Sequence, residues 1–295
     1  MPPSFPATRK VTPETVRQIA QTMPSSARVY ARLQNLLCHP LFDVSDVVEL
    51  VCVDAGLAAG VVRLGNSVHF CHGSPVESVH EAINRVGIRE INHIVGQTVA
   101  GQLFIGQLPL YRIDGEALAQ NSLATALAMS FLAKASHEDE RAAYTLGLLR
   151  PVGRLALQRL ATTSGAMPPP ALPETGDVAT SHAWERNTFG VSNVEMLALL
   201  MAEWGFEPML CMAAQYHLLP GTDARHNRLT ALLHVACWTV EMMDKSLPGE
   251  KGAASLDDAI LDLAGLRQNM PHECVLETRT ELNRLRTMSS RQAAA

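Results

Sequence analysis

Apolar residues in this chain return every three or four positions rather than every second one. Val44, Val47, Val48 and Val51 fall at i, i+3, i+4 and i+7, and Ile91, Ile94, Val95 and Val99 keep nearly the same interval. Such spacing gathers each set on one stripe of an α-helix, the face that must be buried. Ala and Leu are abundant, aromatic residues are only 5% of the chain, and alternating runs of β-branched residues are absent. Composition therefore favours helix over sheet, and the expected fold class is all-α. With 295 residues, 47% of them hydrophobic, the chain can bury roughly three quarters of its unfolded surface.

Local signals set the expected helix limits. Ser74-Pro75-Val76-Glu77 offers a capping serine, a proline at the first helical position and a glutamate that reaches back, and Ser192-Asn193-Val194-Glu195 repeats the box. Further helices are expected over about residues 13–22, 25–38, 44–54, 56–64, 115–135, 139–162, 207–217 and 223–245. Thr163 to Asp177, with Pro168-Pro169-Pro170, Pro173 and Gly176, cannot continue a helix and is expected to be an extended loop between two helical halves. A second break, Ser246 to Ser255, holds Pro248, Gly249 and Gly252; beyond it Leu256 to Leu266 and Glu273 to Met288 read as amphipathic helices. The expected organisation is a lead segment 1–22, a helical domain 23–245 with the loop 163–177 inside it, and a C-terminal helical extension 246–295.

The formal charge is −5, from 24 Lys and Arg against 29 Asp and Glu. No net positive field exists to collect phosphates along a duplex, so a nucleic-acid partner is not expected. Six cysteines (Cys38, Cys52, Cys71, Cys211, Cys237, Cys274) are scattered singly, and Met1 to Lys10 has no apolar run of the kind found in a secretory leader. Reduced thiols, a cytoplasmic location and no membrane insertion are expected.

Several constellations carry residue types suited to chemistry. His69, Cys71, His72 and His80 are the densest soft ligands, but no second pair follows at a recognised zinc interval. His137-Glu138-Asp139-Glu140 suits the positive end of a following helix. His217, His226 and His234 are too widely spaced for one ion on one helix face. Gly96, Gly101 and Gly106 recur every five residues, an interval that drifts around a helix and points to close packing or irregular structure. No GxSxG elbow, Walker loop or GxGxxG fingerprint is present. No catalytic residue, metal ligand or cofactor is expected.

Together, Met23-Pro24, Leu37-Cys38-His39-Pro40, Val47 to Asp54, Arg63-Leu64-Gly65-Asn66-Ser67 and Ser78 to Gly87 resemble the HDOD domain, a bacterial signalling module. Ala55 replaces that family's usual proline and Gly65 its usual alanine. The likeness continues through Leu146-Gly147-Leu148-Leu149, Glu195 to Leu200 and Glu203-Trp204-Gly205, so it spans about residues 23–245. It implies a multi-helical fold whose second half descends from HD-type, metal-dependent phosphohydrolases.

Where those hydrolases read Leu-Leu-His-Asp-Ile-Gly-Lys, this chain reads Leu148-Leu149-Arg150-Pro151-Val152-Gly153-Arg154. Arginine and proline do not coordinate a divalent metal. Asn121 and Asn193 stand where such families can carry further ligands, and Tyr216-His217 keeps one imidazole. Without a metal, the pKa of the attacking water is not brought from about 15.7 towards about 7. Arg150 and Arg154 lie four apart, so fixed guanidinium charge could take the metal's place and bind an anion. The candidate pocket is Arg150, Arg154, Asn121, Asn193 and His217; the alternative is that the arginines pair with carboxylates such as Glu185 or reach solvent.

The expected function is that of a non-catalytic regulator contacting signalling proteins, as the resemblance implies for two-component and cyclic-di-GMP networks. Leu261, Leu263, Leu266, Leu282 and Leu285 would dock in trans or in cis. The alternatives are a sensor of a small anionic ligand or cyclic dinucleotide in the vestigial HD pocket, and a divergent phosphohydrolase. The segment before residue 23 is too short for a receiver domain of about 120 residues, so a freestanding module is expected.

Overall fold

A computed structural model describes residues 11–38, 41–67, 70, 73–163, 169–174, 177–218 and 227–293. The first half is built from α1 (Pro13–Thr22), α2 (Ser25–Cys38), α3 (Val44–Cys52), α4 (Ala55–Gly65), α5 (Val79–Val86) and α6 (Ile88–Leu103). A two-residue hairpin, β1 (Gln107–Leu108) against β2 (Ile113–Asp114), leads into α7 (Gly115–Ala135). Then follow α8 (Glu140–Leu149), α9 (Val152–Thr163), α10 (Val178–Phe189), α11 (Asn193–Glu203), α12 (Pro208–Tyr216) and α13 (Arg228–Glu241). After a break come α14 (Asp258–Ala264) and α15 (Met270–Ala293). The all-α expectation holds, and no helix among the described residues is long and apolar enough to cross a membrane.

Three local expectations need correction. The box at Ser74 does not start a helix: Ser78 caps α5 by accepting from the Glu81 amide, while Glu81 reaches back to the Glu77 amide. The single helix expected over 139–162 is two, because Pro151 has no N–H to donate and interrupts the ladder between α8 and α9. Helix α10 was not anticipated; its Val-Ala-Thr-Ser-His-Ala-Trp-Glu segment has no clean apolar stripe, and its signals are the Asp177 cap and the left-handed Gly190 that ends it. The box at Ser192 is present in full.

Helix α7 is the axis of the second half. It is buried nearly all round, with Leu118, Asn121, Ala124, Thr125, Ala128 and Leu132 all fully shielded, as a helix surrounded by other helices requires. Its alanines let neighbours approach closely: an added β-carbon on Gly147 of α8 would lie 2.7 Å from the Ala126 backbone. The C-terminal helices close on the same core. Leu261, Leu266, Leu282 and Leu285 are buried, Leu263 is partly buried, and Cys274 Sγ on α15 lies 3.7 Å from the Ala128 carbonyl of α7. These leucines dock in cis.

Candidate functional site

The break at Pro151 puts two arginines into one buried space. Arg150 caps the end of α8, and Arg154 lies in the first turn of α9. Gly153 allows α9 to sit directly on the start of α11, since a β-carbon there would overlap the Asn193 carbonyl oxygen. With α7 on one side and α11 on the other, neither long side chain can reach water: Arg150 is 4% exposed and Arg154 1%.

Both guanidinium groups converge on Glu250, which comes from the segment between α13 and α14. Arg150 Nη1 donates to Glu250 Oε2 at 2.9 Å, and Arg154 Nη2 donates to Oε1 at 2.8 Å. Arg150 Nη2 donates to Asn121 Oδ1 at 2.6 Å, and Asn121 Nδ2 donates to the Lys245 carbonyl at 2.7 Å. Arg154 Nη1 donates to the Pro248 carbonyl at 2.9 Å. Burial alone would raise the Glu250 carboxyl pKa, but the charges of Arg150 and Arg154 outweigh it and hold that pKa below the ordinary carboxylate value. Burial likewise opposes the charge on Arg150, and Glu250 more than restores it.

A second acidic side chain is buried near Arg154 without pairing with it. Glu185 on α10 is fully buried and accepts from Tyr111 Oη at 2.9 Å, from the Asn193 backbone amide at 2.7 Å, and from Asn193 Nδ2 at 3.0 and 2.9 Å. Arg154 lies over the Tyr111 ring with Cζ 5.3 Å from its centroid, a favourable cation–π placement. Burial keeps the Glu185 pKa above the ordinary value; the Arg154 charge and the bonds from Asn193 and Tyr111 offset it only in part.

Three histidines surround this cluster. His217 is fully buried with Nδ1 2.9 Å from the Ala214 carbonyl and Nε2 without a protein partner. Burial, then the Arg150 charge, lowers its pKa well below the usual value. His182 on α10 also has an unpartnered, buried Nε2, and burial followed by the Arg186 charge brings it down to about 4. His234 bridges two carbonyls, with Nδ1 2.7 Å from that of His217 and Nε2 3.1 Å from that of Ser255.

These residues do not fit the divalent metal that the resemblance attaches to HD-type hydrolases. A divalent cation here would face two guanidinium groups whose shared carboxylate is already engaged, with the His182 and His217 imidazoles as the remaining donors. No group of three or more His, Cys, Asp or Glu among the described residues could hold a metal.

The sequence-nominated residues are therefore partly united. Arg150 and Asn121 touch directly, and Arg154 joins them through Glu250. Asn193 belongs to the neighbouring Glu185 network, while His217 bonds to none of the other four. The ion-pair partner of the arginines is Glu250, not Glu185. Glu250, Tyr111 and His182 were missed; the signal for Glu250 was a lone carboxylate set between Gly249 and Gly252 in the second break. His69, Cys71, His72 and His226 lie outside the described residues, as do parts of the 163–177 loop. Asp139 caps α8, accepting from the amides of Arg141 and Ala142, as its position before a helix suggested. The five-residue glycine series has no common role: Gly96 packs on Tyr144, nothing lies near Gly101, and Gly106 takes a positive φ of 96°.

Comparison with known proteins matches residues 23–220 to the family model described as the HDOD domain. An uncharacterized protein of Treponema pallidum (strain Nichols) is 25% identical over 275 residues, covering 84% of this chain and 50% of that protein. The chain thus spans about half the length of that curated relative. Among solved structures, an HDOD domain protein with unknown function from Geobacter sulfurreducens aligns with a TM-score of 0.60 at 17% identity, covering 96% of each chain. A candidate signal transduction protein from Marinobacter aquaeolei VT8 gives 0.64 at 19% identity, covering 95% of this chain and 65% of that one. A candidate phosphohydrolase from Shewanella amazonensis SB2B gives 0.55 at 20% identity, covering 91% and 98%. These likenesses establish a shared fold.

Proposed function

This chain belongs to the HDOD domain family, and from that membership we propose that it is a non-catalytic regulatory protein of the bacterial cytoplasm, acting by contact with signalling proteins in two-component or cyclic-di-GMP networks. The observation that carries this reading is Glu250 seated between Arg150 and Arg154. Two cations and two carboxylates, Glu250 and Glu185, stand where the resemblance would put a hydrolase's metal and its water. An arrangement of that kind specifies a shape, and both oxygens of the Glu250 carboxylate are already engaged by the arginines. Signalling then falls to the surface and to the relative placement of helices.

A second reading, a sensor of a small ligand, is favoured by a cavity elsewhere. A cleft of about 670 Å³ between α6, α7 and α15 is lined by Arg89, His93, Phe131, Lys134, Met270 and Glu277. Its size suits a small molecule, and an occupant touching both halves would shift their balance of positions.

The test pairs turnover with capture. Purified full-length protein, supplied with Mn²⁺ or Mg²⁺ and a generic phosphodiester, is expected to retain no stoichiometric metal and to give no metal-dependent turnover. Affinity capture from the native cell is expected to retain a signalling protein. Stoichiometric metal with metal-dependent turnover would overturn the reading in favour of a divergent phosphohydrolase.

A further inference from the structure

The hydrogen-bonding capacity of the arginine cluster exceeds what Glu250 supplies. A carboxylate offers two oxygens, and Arg150 Nη1 and Arg154 Nη2 take one each. Two buried donors nearby have no partner within the protein: Nε of Arg150 and Nε of Arg154. Leaving buried donors unsatisfied is expensive, and native interiors seldom do so without cause. The surplus surrounds one anionic group. A phosphate-type oxyanion, with three or four oxygens, matches paired guanidinium forks better than a carboxylate does.

The segment delivering Glu250 is not anchored like a helix. Residues 244–257 contain no helix, and Asp244, Gly249 and Gly252 hold positive φ values of 55°, 75° and 72°. Its first part, Asp244 to Pro248, lines a cavity of about 180 Å³ together with Arg112 and Gln120, and Lys245 Nζ donates to Gln120 Oε1 at 2.7 Å. Polar ties hold it to the cluster through the Lys245 and Pro248 carbonyls, while Leu247 provides a buried apolar anchor. It is a strap with one side on open space and its carboxylate inserted between two arginines.

We propose that Glu250 is a tethered stand-in for a small phosphate-type oxyanion, and that such an anion binds Arg150, Arg154 and Asn121 by displacing the 244–255 strap. The inference goes beyond the regulatory reading and does not depend on it: absence of catalysis would stand even if no anion bound. In its consequence, anion binding frees a segment that joins α13 to the C-terminal helices, converting ligand concentration into a change of surface.

Two arms test it with inorganic phosphate as the probe and sodium chloride at matched ionic strength as the control. In Glu250→Gln and Glu250→Ala, phosphate is expected to raise the thermal midpoint where chloride does not. Calorimetry is expected to give a single site at least about tenfold tighter than in the wild type, because the tethered competitor is gone. Adding Arg154→Met should abolish both effects. The second arm uses the unaltered protein, so it stands whether or not the variants fold: saturating phosphate should accelerate amide exchange across 244–255 and leave α7 unchanged. A folded Glu250→Gln protein with no phosphate-specific stabilisation, or exchange in 244–255 that is identical in phosphate and chloride, would overturn the proposal.

Discussion

Arg150 Nη1 and Glu250 Oε2 meet at 2.9 Å across a sequence separation of 100 residues, and their side chains are only 3% and 6% exposed. A buried ion pair is poor evidence of net stabilisation, because desolvating both charges offsets most of the attraction. Removing one partner is a different matter, since it strands the other charge in a dry interior and typically costs about 3–5 kcal/mol. Arg150→Ala and Glu250→Ala are each expected to fall in that range by urea denaturation. Because Glu250 also neutralises Arg154, the triple replacement Arg150→Met, Arg154→Met, Glu250→Leu should lose much less than the sum of the single losses. Additive losses would mean that the three side chains do not act as one unit.

Close helix approach at Gly153 and Gly147 should be intolerant of a single methyl group. A β-carbon at Gly153 meets the Asn193 carbonyl and one at Gly147 meets the backbone of α7, and neither obstacle is a movable side-chain tip. Alanine at either position is expected to cost at least about 2 kcal/mol by forcing packed helices apart. Gly101, on α6 with nothing within 4 Å of its would-be β-carbon, should instead gain about 0.5–1 kcal/mol from the same change. Thermal midpoints of the three variants check the contrast, and a destabilised Gly101→Ala would refute it.

Acid should weaken the fold before it reaches the carboxylates. His182 titrates at about 4 and His217 well below its ordinary value, whereas both return to about 6.5 in the unfolded chain. Between those limits the unfolded state binds more protons, so stability is complete above about pH 7 and declines as pH falls through 6 and 5. The slope is at most about 1.4 kcal/mol per pH unit for each histidine. The Glu250 carboxylate, held below its usual pKa, adds a further loss only at more acid pH. Urea midpoints at pH 7.5, 6 and 5 read this directly, and His217→Gln should flatten the upper part of the profile. A stability unchanged from pH 7.5 to 5 would contradict it.

The C-terminal helices offer a graded comparison. Leu285 on α15 is 2% exposed and Leu276, on the same helix, is 65% exposed. Leu285→Ala should cost about 2–5 kcal/mol, while Leu276→Ala should stay within about 0.5 kcal/mol. Equal, small effects would indicate that α15 does not belong to the core of the second half.

Much of the fold was legible because helix periodicity and caps are local. The limits expected for α1, α2 and α7 coincide with those observed, and the capping box at Ser192 lies where its residues place it. Local rules failed where two of them competed. At Ser74 the serine-to-glutamate spacing was sound, yet Ser78 and Glu81, four residues on, repeat it and have the apolar face of α5 behind them. Over 139–162 a helix-favouring composition masked what Pro151 does to the ladder. The candidate site was half legible. Arg150, Arg154 and Asn121 were identified from their positions in a motif, but Glu250 lies about a hundred residues away. No spacing rule links a carboxylate in a glycine-flanked break to arginines on α8 and α9; only the packing of α7, α13 and the strap brings them together.

The most direct measurement is a crystal structure of the full-length protein grown with excess Mn²⁺ and recorded at a wavelength where manganese scatters anomalously. The expected result is Glu250 bound between Arg150 and Arg154, with no anomalous peak beside His182 or His217. An anomalous peak there, held by three or more side chains and bridged to a solvent oxygen, would contradict it.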